Sequence, residues 1–307
     1  MVLLSGCEKL LGYFLGMALS LSLMGSAYAV SFSSPWAKIS LVSPGPAKVI
    51  GTVSNGCLGG AEALPEIGKG FVSIRRHRNR YYGHPETLKV IRHLGLTLSK
   101  QTDQLMMVGD ISQPRGGRMP NMHRSHQNGL DADIWFLLAP SAKHAQKSTP
   151  EKNDPPSMLG PDRKTVNKHW GKYQHLLLKT AAQNPKVDRI FVNPGIKLAL
   201  CTTEKGDRRW LGKLRPWWGH DAHFHVRLKC PKGSPNCKPQ TAIPVGDGCG
   251  EALSSWFKPR YKKVAKKKTL KQKPLKEKQK PKKVAKKKAK PKKPTMPTEC
   301  KPLLAKT

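Results

Sequence analysis

His220-Asp221-Ala222-His223-Phe224-His225-Val226-Arg227-Leu228 is the stretch from which the fold of this chain is read. Phe224, Val226 and Leu228 alternate with His223, His225 and Arg227. A period of two marks a strand with one face in a core and the other turned to polar work. With the apolar set inside, His223 and His225 lie side by side on the opposite face, where their ring nitrogens can serve one site. One imidazole suffices to bind a metal ion. The other is left to take or give a proton, because imidazole titrates near neutrality.

Upstream stands a second cluster, His123-Arg124-Ser125-His126-Gln127-Asn128-Gly129-Leu130-Asp131-Ala132-Asp133. Asp133 opens an apolar run (Ile134, Trp135, Phe136, Leu137, Leu138), and a charge there calls for a partner such as a metal. Gly129 lets the chain turn between His126 and Asp133. Two histidines and one carboxylate, with a position left for water, form the ligand set of a hydrolytic zinc site. Zn2+ in such a set acidifies its water and polarises a carbonyl. A lone His-x-His is more often a hydrogen-bonded core or surface pair. Its combination with His126 and Asp133 points to a site, with His126, Asp133 and His225 as ligands and His223 as proton carrier.

Around these clusters the composition is that of a folded domain. Residues 85–96 read as a helix with proline in its first turn and Leu88, Ile91 and Leu94 on one side. Residues 170–183 read as another, with Tyr173, Leu176 and Leu177 at helical spacing. Short β-type runs fall at 105–108, 133–138, 189–192 and 223–228, each near a turn signal. Helices and strands do not alternate in a βαβ rhythm, which gives an α+β class: a small antiparallel sheet bearing the zinc site, flanked by helices and loops.

The two ends read differently. An apolar run at 10–24, after Lys9 and before Ala27-Tyr28-Ala29, reads as a secretory signal cut after Ala29, so residues 1–29 leave and no membrane span remains. The alternative, an uncleaved anchor, needs about 20 apolar residues. Cleavage removes Cys7 and leaves six cysteines, the mark of a three-disulfide framework in an oxidising compartment such as the periplasm. No Cys-x-x-Cys pair supports a zinc-thiolate reading, and the pairing stays open.

The net charge is +37. The tail, 258–307, holds 22 Lys and Arg against 2 acids; the rest holds 34 against 17. Lys262-Lys263-Val264-Ala265-Lys266-Lys267-Lys268 recurs as Lys282-Lys283-Val284-Ala285-Lys286-Lys287-Lys288, so the tail reads as a basic, disordered, low-complexity segment after a catalytic domain at 30–257. On an exported chain its partner is an anionic polymer of the envelope, or none; no nucleic acid is expected.

Several stretches together resemble one family, the penicillin-insensitive murein endopeptidases, within the lysostaphin, D-Ala-D-Ala peptidase and hedgehog-like group of zinc metallopeptidases. They are residues 79–88 with Gly83-His84-Pro85, 109–118, 125–133, Arg189-Ile190-Phe191-Val192-Asn193-Pro194, and Arg215-Pro216-Trp217 through Leu228. The resemblance covers roughly residues 51–257. It implies zinc on His126, Asp133 and His225, His223 as catalytic base, His123 as a further metal-associated residue and His220 at the site edge. It implies the pairs Cys57 with Cys300, Cys201 with Cys249 and Cys230 with Cys237. The implied reaction is hydrolysis of the D-alanyl to meso-diaminopimelyl cross-link of peptidoglycan.

Arg115 and Arg118, in a Gly-rich turn, are candidates for gripping substrate carboxylates, or ordinary surface arginines. Trp217 and Trp218 stand beside the second cluster, as groove wall or as core. Two rivals remain: a zinc carboxypeptidase that trims stem peptides, and a non-catalytic protein whose basic tail binds envelope polyanions.

Overall fold

The computed structural model describes residues 34–120, 123–151, 154–258 and 295–305. The expected signal segment and the lysine repeat lie outside the described residues. No described helix is long and apolar enough to cross a membrane.

In chain order the strands are β1 (Lys48–Thr52), β2 (Asn55–Gly59), β3 (Glu62–Ala63), β4 (Ile67–Gly68), β5 (Phe71–Ser73), β6 (Tyr82–Gly83), β7 (Leu105–Val108), β8 (Asp131–Ala139), β9 (Val187–Val192), β10 (Leu214–Pro216) and β11 (His223–Leu228). The helices are α1 (Pro85–Ser99), α2 (Ala142–Ser148), α3 (Lys172–Gln183), α4 (Pro194–Thr203), α5 (Glu251–Ser254) and α6 (Lys301–Leu304). Seven strands form the main sheet in the order β10-β9-β11-β8-β7-β5-β4. The class is α+β as read, but the sheet is larger than expected and mixed. Its centre is antiparallel, whereas β10 joins β9, and β5 joins β7, in parallel.

The register of the central pair carries the chemistry. On β8 and β11, His225 stands opposite Asp133, and Arg227 opposite Asp131. The intervening residues, Ala132 and Ile134 on β8 with Phe224 and Val226 on β11, enter the main core. There they meet Leu88, Ile91 and Leu94 of α1 and Leu177 and Leu178 of α3. A smaller cluster, Val72, Ile74, Met107, Trp135, Ala139 and Ala145, covers part of the opposite face. That cover leaves the strip with Asp131, Asp133, His223 and His225 to polar groups.

Helix α1 begins where the sequence reading put it, with Pro85 at its first turn and the His84 ring accepting from Glu86 N (3.2 Å). Helix α3 is tied to the sheet through Gln174, whose amide donates to Phe136 O (2.9 Å) and accepts from Gly171 N (2.9 Å). Helix α4 was not foreseen: Asn193-Pro194 reads as a turn, but Asn193 caps the helix by accepting from Gly195 N (3.0 Å) and Pro194 fills its first position.

Three disulfides staple the fold: Cys57–Cys300, Cys201–Cys249 and Cys230–Cys237, with Cα separations of 5.8, 5.7 and 5.8 Å. The first brings residues 295–305 back onto the β1–β2 hairpin. Asn55 Nδ2 donates to Thr295 O there (2.9 Å), and Cys300 is wholly buried beside Trp36 and Ile50.

Candidate metal centre

The loop from Asp110 to Leu130 delivers His123 and His126 to the strip. Gly116 and Gly117 take positive φ (65° and 73°), and a Cβ on Gly117 would sit 1.9 Å from the Trp36 ring. Only glycine permits that approach. Gly117 N then donates to Gln127 O (2.7 Å), and Gln127 N to Val53 O (3.0 Å), which pins the chain directly after His126. His126 itself sits at φ 65°, a left-handed conformation that costs a non-glycine residue about 1 kcal/mol or more and is held by its surroundings.

A hydrogen bond fixes the His126 tautomer. His126 Nδ1 lies 2.8 Å from Ile111 O. A carbonyl only accepts, so Nδ1 carries the hydrogen and Nε2 presents a lone pair. His225 Nε2 faces Asp131 Oδ1 at 3.2 Å without a hydrogen bond, and its Nδ1 is turned towards Asp133. Asp133 Oδ1 thus meets His225 Nδ1 at 3.2 Å, His126 Nε2 at 3.4 Å and His223 Nε2 at 3.8 Å. His126 Nε2 and Asp133 Oδ1 are buried and have no hydrogen-bond partner among the described residues. Lone pairs that face one another in a buried space need a cation between them.

By distance alone, two sets of donor atoms lie within 4.8 Å: His123, His126 and Asp133, and His126, Asp131 and His225. The chemistry of the donors separates them. Asp131 is already saturated, taking Arg227 Nε (2.7 Å) on Oδ1, and Arg227 Nη2 (3.0 Å) and His126 N (3.0 Å) on Oδ2. Asp133 has the open oxygen. His123 Nε2 is held by Asp110 Oδ2 at 2.8 Å, leaving Nδ1 facing Asp133 Oδ2 at 3.9 Å. The donor atoms left open to a metal ion are therefore those of His126, Asp133 and His225, with His123 at the margin.

Burial opposes ionisation of Asp133, but the surrounding imidazoles outweigh it and keep its pKa well below the carboxylate range. For His225 burial lowers the pKa, and the Asp131 and Asp133 carboxylates outweigh it to give a net rise. His223 is lowered by burial, and burial drives His220 down to about 4. The His220 ring lies 5.1 Å from His223 and 6.0 Å from His225, at the edge of the cluster.

Two carboxylates escaped the sequence reading. Asp131 supports both His126 and His225, and Asp110 gathers Arg78 (3.1 Å), Arg80 (2.8 Å) and His123. Asp131 was accessible in principle, since the period of two puts it on the face of Asp133. Asp110 shows no signal beyond a Gly-Asp turn. Arg115 requires a correction: it is buried, and its guanidinium donates to Leu41 O (3.0 Å), Leu303 O (3.1 Å) and Ala305 O (3.1 Å). It joins the two ends of the described chain and is not available to a substrate carboxylate. Arg118 is exposed.

A sequence model described as penicillin-insensitive murein endopeptidase matches residues 49–305. Similar proteins bearing that same name include one from Haemophilus influenzae, 45% identical over 230 residues, covering 73% of this chain and 79% of the relative. Another, from Klebsiella pneumoniae, is 43% identical over 242 residues, 78% of this chain and 86% of its own. A third, from Pectobacterium atrosepticum, is 41% identical over 247 residues, 80% and 86%.

Proposed function

Because this chain belongs to the penicillin-insensitive murein endopeptidase family, we propose that it hydrolyses the D-alanyl to meso-diaminopimelyl amide that cross-links peptidoglycan stems, with Zn2+ held by His126, Asp133 and His225. The observation that carries the metal reading is the convergence of His126 Nε2, His225 Nδ1 and Asp133 Oδ1, of which His126 Nε2 and Asp133 Oδ1 are buried without a hydrogen-bond partner among the described residues, with the two rings backed by Ile111 O and Asp131. When bound, the ion supplies a Lewis acid that acidifies water and polarises the scissile carbonyl.

The chain's own residues do the rest. His223, kept neutral by burial, offers Nε2 at the mouth of the cluster to accept the proton of the attacking water and hand it to the leaving amine. His220, also neutral, lines the edge without adding positive charge. Asp131 holds the His225 ring, and Asp110 holds that of His123. No serine nucleophile is needed. Three disulfides and a cross-link substrate fit a periplasmic enzyme delivered by the expected signal.

The test is digestion of purified cross-linked muropeptide dimers by the mature protein, with and without a chelator, alongside His225→Ala. Conversion of dimers to monomers that stops with chelator or substitution supports the proposal. Intact dimers in the presence of stoichiometric zinc would refute it, and trimming of monomeric stems would point instead to a carboxypeptidase.

A further inference from the structure

Loop 157–167 is tied to the chain entering β11: Met158 N donates to Asp221 O (2.8 Å), and Arg163 Nη1 to Asp221 Oδ2 (2.9 Å). Between this loop and Trp218 lies a groove of about 390 Å3. Its floor is aromatic, with Trp218 and Trp256 meeting edge to face at 5.7 Å and Phe257 beside them. Trp218 is 43% exposed and the adjacent Trp217 53%. Two large apolar rings left wet next to a catalytic cluster mark a recognition surface.

The rim is cationic, and its charges are unequally committed. Arg163 is paired with Asp221, and Lys258 faces Glu251 at 3.6 Å. The Asp162 carboxylate is taken up by its own turn, where Oδ1 accepts from Lys164 N, Thr165 N and Thr165 Oγ1. Lys164 Nζ lies 5.9 Å from the centre of the Phe257 ring and forms no ion pair among the described residues. The groove thus presents an apolar floor and one uncommitted ammonium. It joins the site directly, since Trp218 O lies 3.3 Å from His220 Nδ1.

We propose that this groove is a substrate subsite that receives an acidic peptide stem flanking the scissile amide: Lys164 takes a stem carboxylate, and Trp218 and Trp256 take the adjoining aliphatic chain. The proposal rests on the cross-link reading above. A diaminopimelyl residue is a diamino diacid, so it keeps a carboxylate beside the amide it contributes. A neutral sugar would use the floor but gain nothing from the ammonium.

Two measurements test it. Steady-state cleavage of muropeptide dimers is compared with that of dimers whose free carboxylates have been amidated, for wild type, Lys164→Gln and Trp256→Ala. On the free-acid dimer Lys164→Gln should raise KM about fivefold with kcat little changed, as expected for one partly exposed ion pair. On the amidated dimer wild type should show the same loss, and the variant no further one. Equal effects of Lys164→Gln on both substrates, or on neither, overturn the proposal. Independently of cleavage, tryptophan fluorescence of the intact protein is titrated with an acidic stem peptide and with its amide. A change specific to the acid and weakened in Lys164→Gln supports the subsite even if dimers are not cut; no such change overturns it.

Discussion

Asp131 and Arg227 face each other across β8 and β11 and form a two-pronged ion pair, Nε to Oδ1 at 2.7 Å and Nη2 to Oδ2 at 3.0 Å. Both side chains are buried, and the same carboxylate reaches His126 N and His225 Nε2. The pair therefore backs the candidate metal centre as much as it ties the sheet. Asp131→Asn keeps the shape but removes the charge that orients His225. We expect zinc affinity, read by chelator competition, to fall about 10- to 100-fold. Asp131→Ala leaves Arg227 buried and unpaired, at a cost of about 3–5 kcal/mol in denaturant unfolding. Unchanged zinc affinity in Asp131→Asn would show that the ring is held by other means.

His223 and His225 share one strand face but should separate cleanly by experiment. His223→Gln is expected to retain zinc, measured by elemental analysis after dialysis, while kcat on muropeptide dimers falls about 100- to 10,000-fold. His225→Ala should lose both zinc and activity. Were His223→Gln also to lose its zinc, His223 would be a ligand and the proton would need another carrier.

How much of this was legible in the sequence depended on whether a local pattern carried it. Strand β11 was read at its true limits because alternation is a local signal; α1 was read from its true start, which proline marks, but was ended at 96, three residues short of Ser99, where no comparably sharp signal stands. Strand β8 was entered two residues late, at Asp133, since Asp131-Ala132-Asp133 looks like a polar turn. Only the cross-strand partner Arg227 explains a carboxylate at position 131. The parallel joins of β5 and β10 rest on strands of three residues each, too short for any period to show. Arg115 was misjudged because its partners, Leu41, Leu303 and Ala305, are carbonyls far away in sequence. The implied Cys57–Cys300 pair fixed the chain's end on its body, but nothing local tied Arg115 to that contact.

The Cys57–Cys300 bond closes a loop of 243 residues in sequence separation and secures the segment that Arg115 also grips. Loop-closure entropy puts so long a link at about 5 kcal/mol, and disulfides typically deliver about 2–4 kcal/mol. Cys57→Ser with Cys300→Ser should lower the thermal midpoint and expose 295–305 to limited proteolysis. Zinc content should be retained below the new midpoint, because β8 and β11 contribute nothing to that bond. Loss of zinc in the still-folded variant would show that the strap reaches the site through the 116–127 loop.

Lys197, on α4, is fully buried, and its ammonium donates to Leu214 O (2.8 Å) and Leu211 O (3.3 Å) with no carboxylate in ion-pair contact among the described residues. Burial pushes its pKa down to about 8. In the unfolded chain the same group holds its proton to about pH 10.4. Between those values the unfolded state binds more protons, so this lysine makes stability rise with pH; the penalty is complete below about pH 8 and lifted above about pH 10.4. Lys197→Met removes the titrating group but leaves two carbonyls short of a donor, so its absolute stability is not the diagnostic quantity. The diagnostic is the difference between wild type and variant in urea unfolding at pH 8 and pH 10, where groups common to both cancel. Wild type should gain about 2 kcal/mol relative to the variant across that interval. Parallel pH profiles would mean that Lys197 keeps its proton in the folded state despite its burial.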